Sequence, residues 1–460
     1  MAEQPQMVSF PVDFSPSDRI MWKIERDPVL RSAVLAVGLL DREPDWEAVH
    51  ATLARAVEQL PRLRQRVEVS GPAGRRIRWV DDRAFSLDYH LRRVRAPHPG
   101  DVRAVLTYAA PFVASSLDPA RPPWEFTLVE GLEGGHAAFL LKFHHTITDG
   151  VGGVDLAGSV FDTTRDGQAR PPAPALDADA EVSSSIQRAV DLARSGLGMV
   201  WRPAQTIRTG QRFARSLGRM LQPVSEPLSP VLRGRSLDRR LDVIELPMAE
   251  LRSTAHAVGG TINDVFLAAA GGGLHDYHER LGHEVPALRI TMPISLRSEH
   301  DPPGGNRFTP ARFVLPIDDP DPAVRAQIAG AIARRWRAEP AVGMTDVLAS
   351  LLDQLPTSVV TPIFGSMLKN VDVDAVDVPG LTGDAYLGGA RIDRMWAFAP
   401  PTGAALSITL LSHADSACVG VVSDLAAVTE PRLLVTCLES AFEEVLQRSP
   451  RDTVPAGVAS

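Results

Sequence analysis

Two histidines stand side by side in "LLKFHHTITDG" (140–150), at the end of an apolar run, and an Asp-Gly pair follows three residues later. The chain holds 12 histidines in 460 residues, so the pairing with Asp149 and Gly150 is a specific constellation. Successive side chains on a strand point to opposite faces. His144 and His145 therefore do not share one space: one faces a cavity while the other packs inward or braces the loop. Imidazole ordinarily titrates near 6.5, so a neutral ring is available at physiological pH as a general base for a hydroxyl or amine attacking a carbonyl. Asp149 either orients the imidazole or holds the loop through an arginine. Gly150 permits a tight turn into the next helix. A metal site is the weaker reading, because tandem histidines on a strand rarely converge on one ion and no spaced carboxylate or cysteine completes a set.

The elements around this motif alternate. "LRSAVLAVGLL" (30–40), "WEFTLVEGL" (124–132) and "HAAFLLKFHH" (136–145) read as strands, the last two joined by a glycine turn. "DWEAVHATLARAVEQLPRL" (45–63) and "DVRAVLTYAAPFVASSL" (101–117) read as helices. A second alternating set starts at "RLDVIELPMAELRSTAHAVG" (240–259) and runs to a last helix in "EPRLLVTCLESAFEEVLQRS" (430–449). Between them lies a Pro/Ala/Asp-rich stretch, followed by a basic segment, 182–222, with Arg208, Arg212, Arg215 and Arg219 on one helical face. That segment is either a membrane-surface contact or a crossover helix packed on both halves with solvated arginines; the two readings are not exclusive. The expected division is a domain over 1–163 carrying the motif, a linker and crossover helix over 164–239, and a second mixed α/β domain over 240–460.

Composition narrows the function. The apolar fraction is 44%, the charged fraction 23% and the net charge −8, which suits a globular chain and carries no nucleic-acid signature. Cys418 and Cys437 form no CxxC pattern, which disfavours a zinc ribbon or redox pair. The first residues have no signal-peptide pattern, and no apolar run approaches the roughly 18 residues of a spanning helix. The expected location is the cytoplasm, with peripheral contact at the inner face of the cell membrane or on lipid inclusions. There is no GxSxG elbow, no Walker loop, and no cysteine near the motif.

HHxxxDG resembles the signature of the CoA-dependent acyltransferase superfamily. "PPWEFTLVEGL" (122–132), "TINDVFLAAAGGGL" (261–274), "MPISLRSE" (292–299), "GGNRFTPARFVLPID" (304–318) and "VPGLTGDAYLGGARI" (378–392) resemble, in order, blocks of the bacterial wax ester synthase/diacylglycerol acyltransferase family. Two departures stand out: Pro-Pro-Trp replaces Pro-Leu-Trp, and Val376-Asp377 replaces Ser-Asn. The resemblance implies two chloramphenicol-acetyltransferase-like α/β domains of mixed sheet plus helices, with a central channel between them. It implies His145 as base, His144 as its support and Asp149 as a structural carboxylate paired with an arginine, for which Arg64 is the candidate. Acyl-CoA enters as substrate, with no cofactor and no metal. The acceptor is a lipid alcohol: diacylglycerol, giving triacylglycerol, or a long-chain alcohol, giving a wax ester. A polyketide or glycolipid acceptor, or a non-catalytic lipid-binding role, is the alternative. An anionic membrane or lipid droplet is the expected partner of 182–222.

Further candidates follow from the same blocks. Asn263 and Asp264 line the channel, or Asn263 is the N-cap of a helix that starts near it. Arg297 braces Asp149, binds a CoA phosphate or forms an interdomain salt bridge. Asn306 is a turn residue or an acyl-CoA contact, and Trp124 is a substrate contact. The three glycines 271–273 mark close packing or approach of backbone to ligand. His275, His278 and His283 read as surface residues.

Overall fold

The computed structural model describes residues 10–71, 76–148, 153, 157–167, 224–295, 308–337, 349, 352–353, 355–381 and 383–447. Among the described residues its longer helices are α1 (Pro16–Ile24), α2 (Trp46–Gln59), α3 (Val102–Ala114), α4 (Met248–Ala257), α5 (Ile262–Arg280), α6 (Pro322–Arg337), α7 (Thr357–Leu368) and α8 (Pro431–Gln447). Local chemistry sets several starts. Ser15, Asp45 and Asp101 each accept the backbone N–H three residues on, capping α1, α2 and α3. At α5 the cap is Thr261, with Asp264 returning the bond to form a capping box.

The strands are β1 (Ala33–Leu40), β2 (Gln65–Ser70), β3 (Arg76–Asp81), β4 (Leu91–Arg95), β5 (Trp124–Glu130), β6 (Ala137–His144), β7 (Arg239–Pro247), β8 (Ala287–Ser295), β9 (Phe308–Pro316), β10 (Val373–Val378), β11 (Tyr386–Leu387), β12 (Ala390–Phe398), β13 (Leu406–His413) and β14 (Ser416–Asp424). They build two six-stranded sheets, ordered β11-β12-β1-β6-β5-β4 and β7-β14-β13-β10-β8-β9, with β2 and β3 as a separate ribbon. Sheet membership does not follow chain order. The 240–460 stretch lends β11 and β12 to the sheet otherwise built from the first 163 residues, with Leu35 opposite Phe398 and Val37 opposite Trp396.

This loan joins the halves. Leu35, Val37, Trp396 and Phe398 share one buried cluster with Leu241, Cys418 and Val422 from the second sheet. Where β14 passes β12, a Cβ on Gly420 would lie 2.3 Å from the Ala397 carbonyl oxygen, so only glycine admits the crossing. Helix α1, absent from the sequence expectations, is also tied to the later chain. Asp353 Oδ1 lies 2.8 Å from Lys23 Nζ and its Oδ2 lies 2.6 Å from Arg19 Nε.

Helix α5 is apolar on nearly every side and lies at the centre of the second core with Phe266, Leu274 and Tyr277. Its glycines answer to packing: a Cβ on Gly273 would stand 2.6 Å from the Cα of Leu438 on α8. His278 differs from the surface expectation. It is 0% exposed, because the helix is enclosed, and its ring nitrogens meet Leu274 O and Ser229 Oγ at 2.7 Å each. Gly273→Val is expected to cost roughly 1–3 kcal/mol of stability by forcing α5 and α8 apart, as read by chemical denaturation.

Candidate active site

The first sheet positions the histidine pair. β6 runs antiparallel between β1 and β5 and ends at His144, which lies opposite Ala33. Two backbone bonds of 2.9 Å fix the exit: His144 N donates to Pro123 O, and His145 N donates to Ser32 O. The chain then turns, with Ile147 N donating to His144 O at 3.0 Å.

The two rings have different surroundings. His144 is 2% exposed and sits edge-on to Trp22 at 4.9 Å between centroids. Its Nδ1 accepts from Thr146 N at 3.1 Å, with Thr146 Oγ1 at 2.8 Å. That acceptor role places the proton of a neutral ring on Nε2. Nε2 faces Glu25 Oε2 at 3.3 Å, too poorly aligned for a full hydrogen bond. The same carboxylate oxygen accepts from Ser32 N at 2.8 Å, so Glu25 joins α1, β1 and the motif. His145 is part-buried and opens onto a cavity.

That cavity holds about 400 Å³ and is lined from both sheets. Its walls are mostly apolar: Ile20 and Ile24 of α1, Val34 of β1, Phe126 of β5, Phe143 of β6 and Phe364 of α7. Trp124 lines it too. The Trp124 ring stacks on His90 at 4.4 Å, and its Nε1 donates to Leu63 O at 2.8 Å. Titratable groups are few: besides His145, they are Arg312, Asp374 and Asp377. Asp377 is exposed at the cavity wall, and desolvation by the surrounding protein pushes its carboxyl up to about 6, against a smaller opposing effect of Arg337. Burial pushes Asp374 to about 8, against a smaller opposing effect of Ser407.

The sequence candidates separate in space. His145 and Trp124 meet at the cavity. Asn263 (8% exposed) and Asp264 (3%) lie in the first turn of α5 and are absent from the cavity lining, with Asp264 engaged in the capping box. Arg64 ends the short 3-10 turn after α2 and is part-buried. Its neighbour Arg62 is the buried one: it lies over the Trp79 ring at 4.1 Å, Nη2 donates to Pro11 O at 2.7 Å, and burial lowers it to about 9. Asp149, Gly150, Arg297, Asn306 and the basic segment 182–222 lie outside the described residues. Among the described residues no cluster of three or more His, Cys, Asp or Glu could hold a metal, and no helix is long and apolar enough to cross a membrane. Asp374 was not singled out, since an isolated Asp in a short Val-rich run carries no motif; Glu25 likewise gives no signal in sequence.

Comparison with known proteins places the chain. Residues 14–266 match the wax ester synthase/diacylglycerol acyltransferase catalytic domain, and residues 304–446 match the C-terminal domain of the same family. A putative diacylglycerol O-acyltransferase of Mycobacterium tuberculosis (strain H37Rv) is 37% identical over 97% of this chain and 94% of its own. The wax ester synthase/diacylglycerol acyltransferase from Marinobacter aquaeolei VT8 superposes with a TM-score of 0.63 at 19% identity, over 95% of this chain and 99% of that one. A mutant starter condensation domain of rhizomide synthetase, in complex with C8-CoA, superposes at 0.60 with 15% identity, over 95% and 94% of the two chains. The fold is that of a two-domain, chloramphenicol-acetyltransferase-like enzyme. The chain belongs to the wax ester synthase/diacylglycerol acyltransferase family and is an acyltransferase.

The Asp374 proton has a consequence for stability. An aspartate in an unfolded chain titrates near 4, so the folded protein retains this proton over about pH 4 to 8. The stability it contributes is complete below the unfolded value and is lost as pH rises through the folded one. Asp374→Asn is expected to flatten the fall in Tm between roughly pH 4 and 8; thermal melts with the same slope as the parent protein would contradict the assignment.

Proposed function

We propose that the chain transfers a long-chain acyl group from acyl-CoA to the hydroxyl of a lipid alcohol, diacylglycerol or a long-chain alcohol, with His145 as general base. The observation that carries the reading is the part-buried His145 at the wall of an apolar cavity shared by both sheets. The imidazole takes the acceptor's hydroxyl proton as the oxygen attacks the thioester carbonyl. The C–O bond forms, the C–S bond breaks, and the CoA thiolate leaves with the proton from His145. No covalent enzyme intermediate is required. His144 acts through position: its contacts with Thr146, Trp22 and Glu25 hold the strand end that presents His145. Apolar walls favour the alkyl chains, at about 0.8 kcal/mol per buried methylene.

His145→Ala is expected to lower ester formation from labelled palmitoyl-CoA by about 10²–10⁴-fold with hexadecanol or dioleoylglycerol as acceptor, with the far-UV circular dichroism unchanged. Activity within threefold of the parent protein would remove His145 from the reaction. Esterification of a polyketide diol alone would move the chain to the alternative acceptor class.

The basic segment 182–222 is proposed to bring the enzyme to anionic membrane or lipid-inclusion surfaces, where such substrates reside. Replacing Arg208, Arg212, Arg215 and Arg219 with Glu is expected to abolish sedimentation with phosphatidylglycerol vesicles; undiminished sedimentation would exclude the segment as the contact.

A further inference from the structure

One wall of the cavity is not apolar. On the second sheet, Thr291 of β8 lies opposite Arg312 of β9, and Asp374 of β10 lies opposite both Thr291 and Ser407 of β13. Register partners on adjacent strands share a face, so these four residues form one polar row across four strands. Arg312, Thr291 and Asp374 line the cavity directly. Ser407 is 0% exposed beside the Asp374 carboxyl, without the alignment of a full hydrogen bond. Thr291 Oγ1 is buried and makes no hydrogen bond to any described residue. Asp377, three residues further along β10, is also among the residues lining the cavity.

A polar row in an apolar cavity is costly unless something hydrogen-bonds to it. An unpartnered buried hydroxyl forfeits about 1–3 kcal/mol. An acyl chain has nothing to offer these groups, and a simple long-chain alcohol has one oxygen, which must meet His145. The row thus fits a ligand with a further oxygen. A χ1 rotation that exchanges Oγ1 with Cγ2 would present the Thr291 hydroxyl to the cavity, where it can donate or accept, and burial keeps a donor proton on the Asp374 carboxyl near neutral pH.

We propose that Thr291 and Asp374 form a specificity station that hydrogen-bonds a second oxygen function of the acceptor, a hydroxyl or ester carbonyl close to the reacting hydroxyl, and so select acceptors that bear one. The inference rests on the acyltransfer reading above. It assigns acceptor choice to a wall that none of the sequence blocks around the histidine motif marks as a site.

The test uses purified full-length protein, palmitoyl-CoA, and two acceptors that differ by one oxygen: 1-hexadecanol and 1,2-hexadecanediol. Ester is followed by chromatography and CoA by thiol release. The parent protein is expected to favour the diol in kcat/KM by about tenfold or more. Thr291→Val, which keeps the shape and removes the hydroxyl, is expected to bring the ratio of the two kcat/KM values close to one, chiefly through KM for the diol. Thr291→Ser is expected to retain the preference, and Asp374→Asn to reduce it. Equal use of both acceptors by the parent protein would overturn the station while leaving acyltransfer standing. So would an equal loss of preference in the Val and Ser variants, which would assign the effect to packing, or an unchanged ratio in Thr291→Val. No ester from either acceptor would remove the underlying reading of a lipid-alcohol acceptor, and the station with it.

Discussion

The structure depends on a strand that belongs to two neighbourhoods. β12 hydrogen-bonds to β1 in the first sheet and packs against β14 of the second, with Gly420 admitting the approach of Ala397. Two domains joined only by a linker drift relative to one another unless their interface is large and apolar. Here the second half contributes the edge of the first sheet, so separation would break main-chain hydrogen bonds as well as expose Trp396 and Phe398. A cavity lined from both sheets therefore keeps a defined shape. The cations of α1 on Asp353 add a second tie on the far side of the same space.

Within that frame the histidine pair is a problem of parity. Adjacent positions at a strand end must diverge, and the divergence separates two roles that one residue could not combine. His144 is immobilised by Thr146, Trp22 and the neighbouring Glu25. His145 is left facing the cavity, with its backbone held by Ser32. The general base proposed for the reaction needs room and a reactant; a ring that fixes a loop needs neighbours on every side. Exchange of the two environments by a one-residue slip of β6 is opposed by its pairing on both edges, to β1 and β5.

Elements with strong local periodicity were legible in the sequence: β1, β6, α2, α5 and α8 lie where the patterns put them. The residues 261–264 show the limit of that reading. Sequence placed the helix start near Asn263, whereas the cap is Thr261 and Asp264 completes it. β10 escaped notice because Asp374 and Asp377 interrupt its apolar run, and carboxylates weigh against a buried strand unless a cavity lies beside it. α1 is short, and what holds it is Asp353, more than three hundred residues away. The polar row is the furthest from legibility: positions 291, 312, 374 and 407 become neighbours only through sheet register. Conversely, the motif blocks located the family, since each is a short contiguous string, while the loan of β11 and β12 leaves no contiguous trace.

The two kinds of wall in the cavity discriminate in different ways. Apolar lining reads a chain in small, graded steps, because each methylene contributes a similar increment. A single alkyl chain can thus be shortened or lengthened with modest loss, and such a surface cannot strongly distinguish one lipid tail from another. Hydrogen-bonding groups out of contact with bulk water behave otherwise: a ligand lacking the matching atom leaves them unpaired, and the loss is concentrated at one contact. On the proposed reading, in which donor and acceptor both carry long chains, apolar surface alone gives little selectivity. Discrimination then falls to the polar positions of the cavity: His145 at the end of the first sheet and the Arg312–Thr291–Asp374 row on the second, with Ser17, Ser32, Thr148, Asp377, Thr402 and Thr409 also at its wall. In the proposed mechanism His145 reports only that an acceptor has a hydroxyl to activate, and the proposed station reads what else the acceptor carries.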